Sequence, residues 1–322
     1  MPAKRRSGTV CLLGGTGFVG GSLSNQLVRR GYSVRIPTRH RERHRDLLVL
    51  PGVELRYANV HAEETLVRLL QGCTAVVNLV GILNEKGHDG SGFKAVHVDL
   101  TEKVLRACQE SGVGRLLQMS ALKANADRGP SHYLRTKGQA EQVIRNLSGD
   151  DVKYTIFRPS VIFGPGDSFI NRFAKLLRRA PILPMPQLGA RFAPVYVQDV
   201  AAAIVIALED SDTHGQTYEL CGPEIYSLGE ILQFIKRELG LRRAVVPVPL
   251  FLARVQAWIA DYLIPGKPFS LDNLRSLSVA SVCNENGLEA LGVAPRSMHS
   301  IVPTYVTRSV TPLSRLRQTT GR

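Results

Sequence analysis

The sequence contains no apolar run approaching the roughly 20 residues that a membrane-spanning helix requires, although 44% of its 322 residues are hydrophobic. A chain of that length and composition folds around a buried core, with room for one large α/β unit and a smaller lobe. Cysteine is scarce. The five, at positions 11, 73, 108, 221 and 283, include no CxxC pair and accompany no histidine cluster at metal-ligand spacing, which argues against a zinc site and a disulfide scaffold. All five are expected to be reduced, and no bound metal is expected. The opening Lys4, Arg5 and Arg6 precede an apolar stretch, Val10 to Leu13, that is too short for the hydrophobic region of a signal peptide and runs straight into glycines. That stretch reads as a strand, and the protein as cytoplasmic.

Negative charge is also in short supply: 27 acidic residues against 41 Lys and Arg leave a net charge of +14. Such a surplus suits nucleic acid, an anionic membrane surface or an anionic ligand. Its distribution argues against the first. The densest run, Arg39-His40-Arg41-Glu42-Arg43-His44-Arg45, carries no interleaved aromatic residue, and nothing in the chain matches a nucleic-acid-binding module, so no nucleic-acid partner is expected.

What the chain does have is an alternation of short apolar runs with longer amphipathic stretches, the pattern of βαβ units and a parallel sheet. Strands are predicted at Val10 to Leu13, Ser33 to Pro37, Glu54 to Ala58, Ala75 to Val80, Arg115 to Met119 and Tyr154 to Phe157. Helices are predicted at Ser22 to Arg30, Glu63 to Leu70, Ala95 to Ser111 and Tyr133 to Arg145. The wholly apolar run from Ala75 reads as a strand buried on both faces. Regularity breaks at Gly164-Pro165-Gly166. Beyond it, Phe192 to Val197 and Thr217 to Leu220 read as strands returning to the sheet, with an apolar helix over Val200 to Leu208 between them. The fold class is therefore α/β: a doubly wound parallel Rossmann sheet with a smaller C-terminal substrate lobe. Residues 1–165 and the returning segments near 190–222 form the nucleotide-binding domain; 166–189 and 223–309 form the lobe; 310–322 form a disordered tail.

Gly14, Gly17 and Gly20 are spaced G-x-x-G-x-x-G between the first strand and a helix. The spacing alone is a weak signal, and its place in the chain makes it a strong one. A strand-to-helix turn needs positive φ and close backbone approach to a pyrophosphate, and the helix N-terminus then offers free N–H groups to the anion. Thr16, Phe18 and Val19 belong to the same cradle. At the end of the second strand an NAD-binding chain carries Asp or Glu for the adenosine ribose; here the residues are Ile36-Pro37-Thr38-Arg39. The Arg39 guanidinium suits a 2′-phosphate, so NADP(H) is the expected cofactor, with NAD(H) the alternative.

Tyr133 and Lys137 stand four apart in a helical stretch and so share a face. Ser120 ends a strand and is expected to lie beside the phenol at the C-terminal edge of the sheet, where ligands bind. The chemistry that suits these three is hydride transfer next to a carbonyl or alcohol. Tyr133 would exchange the proton, Lys137 would lower the phenol pKa and bond the nicotinamide ribose, and Ser120 would orient the substrate oxygen.

Taken together, Gly14-Gly15-Thr16-Gly17-Phe18-Val19-Gly20, Asn78-Leu79-Val80-Gly81, Tyr133-Leu134-Arg135-Thr136-Lys137, Arg158-Pro159-Ser160-Val161-Ile162-Phe163-Gly164 and Val197-Gln198-Asp199-Val200-Ala201 resemble the atypical and extended short-chain dehydrogenases/reductases over about Thr9 to Val302. The resemblance is greatest to the branch holding the NADPH-binding accessory subunit of mitochondrial respiratory complex I and its bacterial relatives. It implies a tightly held NADPH and an association with quinone metabolism or the respiratory membrane, at its inner face. By the same resemblance Leu79, Val80 and Gly81 line the cofactor, Asn59 and Val60 lie near the adenine, and Pro159 to Ile162 close over the nicotinamide. Asn59 stands where many relatives carry Asp, and His97 stands near the place of a relay Asn.

Three functions stay open: an NADPH-dependent reductase or isomerase on an apolar carbonyl or quinone-like substrate, a non-catalytic NADPH-binding accessory or assembly subunit, and a nucleotide-sugar epimerase or dehydratase. The apolar stretch Val248 to Pro265 is expected to be a helix, lidding the substrate pocket or lying on a membrane surface.

Overall fold

In the computed structural model, which describes residues 8–85, 87–249, 251–255 and 270–307, the apolar runs become one seven-stranded parallel sheet. The first half of the chain supplies β1 (Thr9–Leu13), α1 (Phe18–Arg29), β2 (Ser33–Thr38), β3 (Val53–Tyr57), α2 (Glu63–Leu70) and β4 (Ala75–Asn78), followed by β5 (Arg115–Met119) and β6 (Lys153–Pro159). Across the sheet the order is Thr217–Leu220, β6, β5, β4, β1, β2, β3. The strand order reverses between β1 and β4, which pair directly with Leu13 opposite Asn78. A reversal of this kind opens a crevice beyond the carboxyl ends of the two strands.

Helices cover both faces, and the strands' alternating side chains divide between them. On one face Val10, Leu12 and Leu117 pack against Leu23 and Leu27 of α1 and against Val200 and Ile204 of the helix Val197–Glu209. On the other, Cys11, Leu13 and Val76 pack against Leu66 and Leu70 of α2 and Leu100 and Val104 of the helix Leu100–Ser111. With both faces covered, all four residues of β4 are buried, as a central parallel strand requires. A third apolar cluster lies apart from these and gathers Phe163, Ile170 and Leu177 with Leu228, Ile231 and Val302. Among the described residues no helix is long and apolar enough to cross a membrane.

Three expectations are corrected. Of the two segments expected to return to the sheet, only Thr217–Leu220 does so, beside β6. The other splits at Ala193-Pro194: Arg191–Phe192 pairs antiparallel with Tyr226–Ser227, and Val195–Tyr196 pairs with Ile162–Phe163. A proline lacks the N–H that a continuous strand would need there. Second, Cys221 and Cys283 are joined in a disulfide across a sequence separation of 62, while Cys11, Cys73 and Cys108 are free and buried. Local spacing could not show that pair, because the two meet through the fold. Third, the helix expected over Ala95 to Ser111 begins earlier and is interrupted: Ser91–Lys94 leads into a π-turn at Ala95–Asp99 before Leu100–Ser111. In the stretch expected as a lid or surface helix, 251–255 is helical, and 256–265 lies outside the described residues, as does the tail 310–322.

Candidate functional site

The glycine turn sits at the mouth of the crevice. Gly14 adopts φ +75°, and a Cβ there would stand 3.1 Å from the Leu79 carbonyl carbon and the Val80 nitrogen; both the positive φ and the close approach demand glycine. At Gly20 a Cβ would fall 2.3 Å from the Gly15 carbonyl oxygen, so this position lets the helix settle on the turn. Gly17 is the N-cap of α1 and supplies no side-chain cap. The first-turn amides, from Phe18 and Val19 onward, are thus left without a cap from that side chain, as an anion-binding helix start requires. Thr16 lies in the turn between them. The residues present therefore suit a dinucleotide's pyrophosphate.

The neighbouring loop is fixed against this turn. Leu79 donates its N–H to Leu13 O at 2.9 Å, and Val80 donates to the Asn78 side chain at 3.2 Å, while Asn78 in turn donates to Gln118 at 3.0 Å. A Cβ on Gly81 would lie 3.2 Å from Lys137 Nζ and 3.6 Å from His97 Nε2, so glycine keeps this stretch open toward the helix that bears the candidate catalytic residues. Beyond the ends of β2 and β3 Arg39 is exposed and Asn59 accepts the His61 N–H at 3.1 Å. Desolvation, then the Lys103 and Arg39 charges, hold His61 below its ordinary range. Arg39 is therefore within electrostatic reach of the loop holding Asn59 and Val60, in a locally cationic setting.

The helix His132–Leu147 carries Tyr133 and Lys137. Its N-terminus is capped twice: Ser131 Oγ accepts the Leu134 N–H at 3.1 Å, and the Asp272 carboxylate accepts the N–H groups of His132 and Tyr133 at 2.7 and 3.1 Å. Asp272 belongs to the short helix Leu271–Ser276 of the C-terminal segment. That helix also reaches the loop that follows β4, where Asn273 donates to Leu83 O at 3.1 Å. A carboxylate at a helix N-terminus is favoured by the macrodipole, so a remote part of the chain sets the start of this helix.

Lys137 is buried and donates to Met119 O at 3.0 Å. Burial pushes its ammonium down to about 8, with the Glu141 charge acting in the other direction. Burial likewise pushes the Tyr133 phenol up to about 12. In place of the expected lowering by Lys137, desolvation raises the phenol. The His97 ring lies edge-on to Tyr133 with centroids 5.5 Å apart. Its Nε2 accepts the Ile82 N–H at 3.3 Å and its Nδ1 meets Thr136 Oγ1 at 2.9 Å, which puts the ring proton on Nδ1. Desolvation, then the Lys137 charge, push it down to about 2. His97 stays neutral and ties the π-turn, the loop after β4 and the Tyr133 helix together.

Ser120 is buried just beyond the end of β5. Its hydroxyl donates to Glu141 at 2.5 Å. Glu141 is buried and also accepts from Arg158 Nε at 2.8 Å and from Arg145 at 3.0 Å. Sequence reasoning passed over Glu141, although it stands one turn beyond Lys137 and so shares the Tyr133–Lys137 face. Pro159 and Ile162 flank Ser160, whose hydroxyl donates to Ser281 O at 2.8 Å. Among the described residues no group of three His, Cys, Asp or Glu side chains could hold a metal.

Residues 10–221 match the NAD dependent epimerase/dehydratase family. Over 305 residues the chain is 32% identical to the mitochondrial NADH dehydrogenase [ubiquinone] 1 alpha subcomplex subunit 9 of Mus musculus, covering 90% of this chain and 77% of that protein. It is 30% identical over 201 residues to the ceramide reductase of Caulobacter vibrioides, covering 62% of this chain and 60% of that protein. Among solved structures it resembles MoeE5 in complex with UDP-glucuronic acid and NAD, with a TM-score of 0.73 at 19% identity over 92% of this chain and 97% of the other.

Proposed function

The chain belongs to the NAD dependent epimerase/dehydratase family and is NAD(P)-binding, and from that premise we propose that it is an NADPH-dependent reductase or isomerase acting on an apolar carbonyl or quinone-like substrate. The observation that carries this reading is the placement of Tyr133 and Lys137 one turn apart, with Lys137 Nζ facing the open stretch at Gly81. When bound, the nicotinamide supplies the hydride. Lys137 would hold the ribose, and Tyr133 would give its proton to the substrate oxygen. A phenol near 12 is protonated at neutral pH, which suits donation to a carbonyl that is being reduced. The preference for NADPH rests on Arg39, in place of an acidic residue, at the end of β2. The ceramide reductase relative supports an apolar substrate.

A second reading is favoured by the engagement of the Ser120 hydroxyl with Glu141, a carboxylate that would compete with a substrate oxygen for its hydrogen bond. On that reading the chain is a non-catalytic NADPH-binding subunit associated with the respiratory membrane, in keeping with the complex I relative. The deciding experiment is NADPH oxidation across a panel of quinones and apolar ketones, with wild type and Tyr133→Phe side by side. An enzyme loses roughly a hundredfold or more in rate in the Phe variant, the usual share of general acid–base catalysis, and keeps its NADPH affinity. Activity unchanged in the Phe variant sinks the proposed mechanism, and a wild type that binds NADPH yet oxidises it with none of the panel supports the second reading.

A further inference from the structure

A cavity of about 710 Å³ opens where the C-terminal segment meets the start of the Tyr133 helix. Pro130, Val255, Leu271 and Leu274 give it an apolar lining, and Arg254 and Arg275 stand on its walls. No acidic side chain lines it among the described residues. The nearest in sequence, Asp272, turns its carboxylate to the amides of His132 and Tyr133 and so is committed elsewhere. Both arginines and Val255, the latter 53% exposed, are open to a ligand, while Leu271 and Pro130 are half-buried and Leu274 is buried in the wall.

The volume falls in the range of small-molecule sites, about 300–1,000 Å³, and exceeds what a small ketone needs. The chemistry of the walls is divided. An apolar chain is stabilised by each methylene it takes out of water, and a guanidinium at the rim offers a fork of donors to a carboxylate or phosphate. A polar sugar would leave Val255 in water, and a wholly apolar ligand would gain nothing from the two guanidinium groups.

We propose that this cavity binds an amphipathic anion, with an apolar chain along Pro130, Val255, Leu271 and Leu274 and a phosphate or carboxylate head between Arg254 and Arg275. Pro130 directly precedes Ser131, the cap of the helix that carries Tyr133, so a ligand seated here lies next to the candidate catalytic helix. The inference deepens the reductase reading by naming the substrate's chemistry, and it rests on that reading for the reaction alone.

The test is a binding titration of the full chain with three probes: dodecyl phosphate below its micelle-forming concentration, dodecanol, and inorganic phosphate. Dodecyl phosphate is expected to bind at least tenfold more tightly than either of the others. Arg254→Glu combined with Arg275→Glu, and separately Val255→Asp, should each weaken it tenfold or more while circular dichroism shows both variants folded; all three positions are exposed, so the fold tolerates the changes. Equal binding of dodecanol, equal binding of inorganic phosphate, or affinity untouched by both variants overturns the proposal. Because the titration involves no turnover, a chain that binds dodecyl phosphate through these residues yet oxidises NADPH with no substrate upholds the cavity's role and sinks the reductase reading alone.

Discussion

The Ser120 hydroxyl donates a hydrogen bond to Glu141, at 2.5 Å, on a carboxylate already held by two arginines. This relationship makes the serine part of the support beneath Lys137, since Glu141 stands one helical turn beyond it. Ser120→Ala removes one hydrogen bond to a charged acceptor, worth about 1.5–3 kcal/mol. The melting temperature should fall by several degrees while NADPH affinity holds. A fall in reduction rate with an unchanged melting temperature would instead return the hydroxyl to the substrate.

Arg39→Asp should shift the preference away from NADPH. The change removes a charged partner of the 2′-phosphate, worth about 1.5–3 kcal/mol, and supplies an acceptor for ribose hydroxyls, so NADPH affinity should weaken by roughly tenfold or more. Parallel titrations with NADPH and NADH read the result, and an unchanged NADPH curve would make Arg39 a bystander.

Lys137 gives stability a pH dependence whose sign follows from burial. The folded chain releases this proton near pH 8, against 10.5 for an ordinary lysine. Between those values the unfolded chain binds more protons, so this group's contribution rises with pH there, and at neutral pH the folded state carries the full cost of the buried ammonium. Lys137→Met should therefore raise the melting temperature by a few degrees at pH 7, and the gain should shrink as the pH approaches 10. A variant less stable at every pH would show that the hydrogen bond to Met119 and the attraction of Glu141 outweigh desolvation.

Cys221→Ser opens a link between residues separated by 62 positions, and loop-closure entropy puts the cost at about 4 kcal/mol at most. The melting temperature should drop by several degrees, and a reductant should lower wild type to the level of the variant. Wild type and variant melting together under non-reducing conditions would show that the pair is not linked in solution.

The sheet was legible because parallel strands buried on both faces read as unbroken apolar runs: Ala75 to Asn78 is recognisable with no knowledge of its neighbours. The glycine turn was legible for a similar reason, since Gly14 and Gly20 meet local demands of φ and of contact. What escaped notice depends on distant partners. Asp272 caps the Tyr133 helix from 139 positions away, and no local pattern ties a short C-terminal helix to that task. Cys283 finds Cys221 by the same kind of long reach. The direction of the Tyr133 shift was missed because spacing reports which side chains are neighbours, and says nothing of how much water they keep.

The place of Thr217–Leu220 at one margin of the sheet has a consequence for biosynthesis. Its partner β6 is made well before it, and the helix Val197–Glu209 lies between them in the chain. Until those four residues leave the ribosome, β6 presents a row of unpaired amides and carbonyls, a template for pairing with another nascent chain. A parallel sheet that closes through distant contacts forms slowly. Translation speed past Leu220, and any chaperone that shields β6 meanwhile, should therefore govern how much of this protein is recovered in soluble form.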